Sequence, residues 1–147
     1  MKKQFLLALT MLAFATTAGA QIPKSPSTPG AKVYFINLKN GQAVKGPVKV
    51  VMGLSGMGVA PAGTDAEGTG HHHILVNVDK VDDSLPIPMD EKHRHFGKGQ
   101  TEAVLDLPPG KYTLQLAFGD KNHVIHNPPV MSEKITIRVL KGAVAKK

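Results

Sequence analysis

The residues best suited to chemistry in this chain of 147 residues are its seven histidines, and all of them fall between positions 71 and 126. They form three groups: His71, His72 and His73; His93 and His95; His123 and His126. Imidazole is the commonest protein ligand for transition metals and titrates near neutral pH, so the clustering points to a metal site or a proton-responsive surface. The chain has no cysteine, which removes thiolate as a ligand. A set of three or four imidazole nitrogens suits Cu(II) or Zn(II) better than Ni(II). Cu(I), a softer ion, could use the thioether of Met52 or Met57.

Spacing sharpens this reading. Along a strand, successive side chains point to opposite faces. If residues 71–78 are extended, His72, Ile74, Val76 and Val78 share the core face, while His71 and His73 project side by side from the other. His72 is then expected as a buried, neutral ring that donates a hydrogen bond. The run His93-Arg94-His95 repeats the His-x-His spacing after a loop carrying Pro86 and Pro88. His123 and His126 lie in a polar Asn/Asp/Pro loop, and loops at one end of a sandwich converge in space. The candidate metal ligands are His71, His73, His93, His95, His123 and His126, of which a tetrahedral ion takes three or four. Asp79, Asp90, Glu91 and Asp120 are available to accept hydrogen bonds from the far ring nitrogens.

The elements that must position these rings are strands. Apolar runs alternate with period two and are punctuated by Gly and Pro, which predicts strands over 33–38, 48–54, 71–78, 103–107, 112–118 and 135–140. Asn40-Gly41 marks a turn, and Pro108-Pro109-Gly110 a sharp reversal that leaves 103–107 and 112–118 either adjacent or in facing sheets. The Pro-Gly-Lys-Tyr112 run resembles the lead-in to a late sandwich strand whose tyrosine ties a corner. The fold expected is all-β: a single immunoglobulin-like β-sandwich of six to seven short antiparallel strands over residues 33–140.

Residues 1–20 read as a cleaved signal peptide, with Lys2 and Lys3, the apolar run Phe5 to Ala15, and Ala18-Gly19-Ala20 as the cleavage site. The apolar run is shorter than the roughly 20 residues that span a bilayer. Export to the periplasm or outside the cell is the expectation, with a tether over 21–32, rich in proline and serine, and a basic tail over 141–147. A formal charge of +7, with lysines gathered near the ends and no interleaved aromatics, gives little reason to expect nucleic acid. The glycine-rich segment Gly53 to Gly63 lacks the Gly-Lys-Ser/Thr ending of a phosphate-binding loop. Neither Ser55 nor Ser84 has the histidine and acid context of a nucleophile, so no catalytic residue is assigned.

Several stretches together resemble a family of small exported bacterial proteins, domain of unknown function 4399 (DUF4399). They are Gly56 to Gly63, Gly70-His-His-His-Ile74, His95-Phe-Gly-Lys-Gly-Gln-Thr-Glu102, Leu107-Pro-Pro-Gly110 and Asn122 to Val130. This resemblance implies membership and carries no activity. A looser one is to copper-zinc superoxide dismutase, since His93-x-His95-Phe-Gly is similar to its strand-borne motif. The chain lacks that family's cysteines and its glycine-aspartate metal loop, which argues against dismutase activity.

Two readings from different classes follow. In the first, the chain is an exported module that binds copper or zinc as a carrier, buffer or sensor component. In the second, it is a structural or adhesive envelope domain with a protein or glycan partner, and the histidines serve as hydrogen-bonding groups. A metal-dependent enzyme would need an open coordination position and a general base, and no acidic residue has a telling spacing to a histidine.

Overall fold

The computed structural model describes residues 22–141. The signal-peptide reading and all but the first residue of the basic tail lie outside the described residues. Among those described, every regular element is a strand: β1 (Lys32–Phe35), β2 (Gln42–Lys45), β3 (Val48–Ser55), β4 (Gly58–Val59), β5 (Thr69–Val76), β6 (His93–Phe96), β7 (Glu102–Leu105), β8 (Gly110–Gly119) and β9 (Ile135–Leu140). Among the described residues no helix is long and apolar enough to cross a membrane.

The strands form two sheets. One has three strands in the order β1-β3-β7; the other runs β2-β9-β8-β5-β4, with β6 also paired to β5. The expected all-β sandwich is present, with more strands than the alternation revealed. The pairs β2/β9 and β4/β5 are parallel, where only antiparallel strands were expected. Neither β2 nor β4 is among the strands read from the sequence: β2 half-buries Gln42 and Val44 and exposes Ala43 and Lys45, so its alternation is not one of hydrophobicity, and β4 has only two residues. They pair where the chain passes an open sheet edge.

Between the sheets lies the main core. Val48, Val50 and Met52 from β3 meet Ile74 and Val76 of β5, Leu114, Leu116 and Phe118 of β8, and Ile137 and Val139 of β9. Each fully buried aliphatic or aromatic side chain of this kind contributes roughly 1.5–3 kcal/mol of transfer free energy. In a chain without cysteine this burial carries the fold. Pro108-Pro109-Gly110 takes the chain from β7 in the smaller sheet to β8 in the larger, so the two strands face each other. The Tyr112 hydroxyl donates to the Pro108 carbonyl at 2.9 Å, tying that corner.

The larger sheet has a second covering on its outer face. Leu75, Ala117, Ile87 and Ile125 form a small apolar cluster there, with Val78, Val81 and Met131 packed against it. Val78 was expected on the main core face. It lies instead in the outer cluster because Asn77 takes a left-handed backbone, φ 53°, which ends β5 at Val76. The Asn77 side chain then accepts from the Thr113 amide at 2.9 Å, an arrangement asparagine tolerates better than β-branched residues. Within the stretch 21–32, read in the sequence as a tether, Ser25 to Ser27 lie against the domain: Ser27 N donates to the Asn127 carbonyl and Asn127 N to that of Ser25, at 3.1 and 3.0 Å.

Candidate metal centre

The outer face of β5 carries His71, His73 and Leu75 in a row, and β6 lies alongside with His95 directly opposite His73. Alternation fixes the face each ring takes; the pairing of β5 with β6 fixes the register. On the other side of β5, His71 stands opposite Gly119 and His73 opposite Ala117, so the neighbouring strand offers almost no side chain to compete for the space. After Gly119 the chain turns back at once, Ile125 bridging to Gly119. The tip of that turn brings His123 over the row.

Four of the six candidate ligands are thereby gathered. One potential ligand atom from each of His71, His73, His95 and His123 lies within 4.8 Å of the other three. His71 and His73 are fully buried, and His95 and His123 are half-buried at the mouth. The ring centroids are 4.7 Å (His71–His73), 5.0 Å (His71–His95), 4.9 Å (His71–His123), 5.2 Å (His73–His95), 4.8 Å (His95–His123) and 6.1 Å (His73–His123) apart. Five of these separations lie between 4.7 and 5.2 Å and the sixth, His73–His123, is 6.1 Å, so the centroids mark an irregular tetrahedron. Its centre lies about 3.1 Å from each centroid, and an inward-turned ring nitrogen is about 1.1 Å closer, which leaves about 2.0 Å, the Zn–N bond length. Histidine χ2 is a soft torsion, which gives the rings freedom to reorient; their ligand atoms, within 4.8 Å of one another, would close to about 3.3 Å around a tetrahedral ion.

The electrostatics favour the neutral rings a metal requires. Burial, followed by the neighbouring imidazoles His71, His95 and His123, pulls His73 down to about 2. Burial, then His123 and His95, takes His71 down to about 4. His95 is also lowered, by burial first and His123 second. The Nδ1 of His71, both nitrogens of His73 and the Nε2 of His95 are buried with no hydrogen-bond partner, while the Nε2 of His71 is hydrogen-bonded to the Nδ1 of His123 at 3.3 Å. A buried polar atom left unpaired costs about 1–3 kcal/mol. Three such rings, with His123 beside them, bring four potential ligand atoms within 4.8 Å of one another, a grouping that could hold an ion of zinc or copper size.

The remaining histidines are placed elsewhere. The Nδ1 of His93 pairs with Asp90 at 2.8 Å, and this ring is outside the group. Both nitrogens of His126 lie 3.1 Å from backbone carbonyls, those of Phe118 and Thr69, and the ring stacks on Phe118. It ties the 120–131 return to the sheet. His72 is buried on the core side against Phe118, with neither nitrogen hydrogen-bonded. The hydrogen bond expected of it is not made, and burial lowers it to about 4. Met52 is in the main core and Met57 packs against it, so neither thioether belongs to the group.

Two glycines that carry no metal-binding signature also build the site, together with Asp120. A Cβ on Gly119 would stand 2.8 Å from His73 Cε1, and one on Gly97 would collide with the His95 ring. Both glycines give room to an imidazole. Asp120 is fully buried and does not accept from a ring; its Oδ1 accepts from the amides of Asn122 and Val124 at 2.8 and 3.0 Å. Burial pushes its carboxyl up, but hydrogen bonds from Ser25, Val124 and Asn122 outweigh this and hold it below the usual carboxylate range. The turn it closes gives His123 a left-handed backbone, φ 64°. Asp120 was expected to accept from a ring nitrogen; it accepts instead from the turn amides and from Ser25, the habit of an aspartate at the head of a short polar loop.

Fold and site together define an all-β sandwich that carries a four-histidine cluster on the outer face of its larger sheet. The chain belongs to the family described as a domain of unknown function, DUF4399, whose sequence model matches residues 50–140, a span that holds all four rings. No curated protein and no solved structure matches it.

Proposed function

We propose that this chain is an exported metal-binding module whose four imidazoles hold one zinc or copper ion in a carrier, buffer or sensor role. The observation that carries the reading is the convergence of His71, His73, His95 and His123, each able to place a ligand atom within 4.8 Å of the others. Buried nitrogens without hydrogen-bond partners weigh against the envelope-domain reading, in which the histidines would act as hydrogen-bonding groups. Near-tetrahedral spacing favours Zn(II) or Cu(I) over the tetragonal preference of Cu(II) and Ni(II). Four protein donors fill a tetrahedral shell, the pattern of sites that hold an ion, whereas catalytic zinc keeps a position open. The signal-like residues 1–20 support delivery outside the cytoplasm, where copper and zinc are handled.

Calorimetric titration of the purified chain with Zn(II), and with Cu(I) under reducing conditions, tests the proposal. One ion per chain, bound in the micromolar range or tighter and lost in the variant carrying alanine at positions 71 and 73, is the expected result. Uptake no stronger than that of a scrambled histidine peptide overturns it.

A further inference from the structure

His123 differs from the other three rings of the cluster. His71, His73 and His95 are fixed by strand register, whereas His123 sits on a turn with a left-handed backbone that a non-glycine residue adopts only when its surroundings impose it. Two contacts impose it from the flanks: His123 N donates to the Asp120 carbonyl at 2.9 Å, and Ile87 N donates to the His123 carbonyl at 2.8 Å. The third is the Asp120 carboxylate. One of its oxygens closes the turn through the amides of Asn122 and Val124. The other receives both the amide and the hydroxyl of Ser25, at 3.2 and 2.8 Å, from ninety-five positions away. Ser25 belongs to a segment that is itself fastened: Pro26 bridges to Asn127, the Ser27 hydroxyl donates to the Pro128 carbonyl, and Lys24 pairs with Asp83.

Building on the metal reading, we propose that Ser25 and Asp120 are positioning residues for the ion: the N-terminal segment, through Asp120, sets His123 over the other three imidazoles. Neither residue touches the ion. Their effect is to hold the turn in the one conformation that completes the tetrahedron, and so to make the fourth donor available without an ordering cost at the moment of binding. Residues that orient a ligand from outside the coordination shell typically change metal affinity 10–100-fold.

A double-mutant cycle with Zn(II) as the probe tests this on the purified full chain. Ser25→Ala is expected to weaken zinc binding about tenfold at unchanged stoichiometry, and Ser25→Thr, which keeps the hydroxyl, to restore it. In a His123→Ala background, where a three-imidazole site remains, Ser25→Ala is expected to have no further effect. Equal weakening in both backgrounds would assign Ser25 a general role in stability and overturn the proposal, as would wild-type affinity in Ser25→Ala. Absence of zinc uptake by the unaltered chain overturns the metal reading itself, an outcome distinct from zinc uptake that ignores Ser25. Asp120→Asn, which retains the oxygen facing the turn, is a second variant if Ser25→Ala folds poorly, with the same loss expected and the same dependence on His123.

Discussion

The Nε2 of His71 and the Nδ1 of His123 stand 3.3 Å apart across fifty-two positions of sequence. Two nitrogens bound to one tetrahedral ion at about 2.0–2.1 Å are separated by about 3.3 Å. These two rings are thus already at the spacing that coordination demands, with β5 supplying one and the turn after β8 the other. The ligand atoms of His73 and His95 lie within 4.8 Å of the other two and would draw in further around an ion.

Removing a ring from the buried pair has a different consequence from removing one outside the group. His73→Ala is expected to lower zinc affinity by at least about a hundredfold, more than loss of an outer-shell partner does. His93→Ala is expected to leave affinity within about twofold, because the His93 ring is engaged with Asp90 and stands apart from the four. Competition against a chromophoric chelator checks both. Equal losses in the two variants would show that histidine content, and not the assembled quartet, binds the ion.

The glycines at 97 and 119 are expected to matter as much as ligands. Gly119→Ala places a methyl 2.8 Å from His73 Cε1, closer than carbon atoms approach in packed proteins, so the ring or the strand must shift. Overpacking of this size costs roughly 1–3 kcal/mol of stability, and the displaced ring loses its aim at the centre. Chemical denaturation and zinc titration of the same variant should both show losses. Gly97→Ala, which meets the His95 ring, is expected to act mainly on zinc affinity, since His95 is at the half-buried mouth of the site.

The legible part of this molecule was what repeats with period two. The alternation Tyr112, Leu114, Leu116, Phe118 identified the inward face of β8, and the same rule put His71 and His73 together on the outer face of β5. It likewise set His93 and His95 on one side of β6, but alternation does not tell which of two equivalent rings has a competing partner. Asp90, three residues before His93, takes that ring out of the group. His126 was also placed among the candidates by composition; its two carbonyl partners come from β5 and β8, contacts that exist only after the sheet has formed. The roles of Gly97, Gly119 and Ser25 were illegible for the same reason. Each depends on which residue arrives opposite it, a property of tertiary structure rather than of local pattern.

His72 offers a test that separates burial from coordination. Its ring is fully buried with both nitrogens unpaired, and it points away from the quartet. Replacement by leucine, of similar volume, removes an unsatisfied polar group worth about 1–3 kcal/mol. His72→Leu is expected to raise stability at pH 7, or leave it unchanged, while zinc affinity stays at the wild-type value. A fall in zinc affinity in urea-matched conditions would place His72 in the coordination network and contradict the face assignment.

Acid should unfold the metal-free chain earlier than its carboxylates alone would dictate. His71 and His72 move from 6.5 to about 4 and His73 to about 2, each chiefly by burial. The folded state therefore keeps these rings neutral at pH values where the unfolded chain protonates them. Since the unfolded state then binds more protons, stability is fully present above about pH 6.5 and declines as pH falls from there toward 4. A tenfold difference in proton affinity is worth about 1.4 kcal/mol, so a ring taken from 6.5 to about 4 accounts for a loss on the order of 3 kcal/mol over that range. Urea unfolding in the presence of a chelator, repeated between pH 7.5 and 4, measures it. Saturating zinc should move the decline to lower pH, because an ion bound only by the folded state opposes protonation of its ligands. His72→Leu should remove its own share of the decline with or without zinc. A chain whose metal-free stability stays flat between pH 6.5 and 4.5 would show that His71, His72 and His73 reach solvent and are not held neutral by burial.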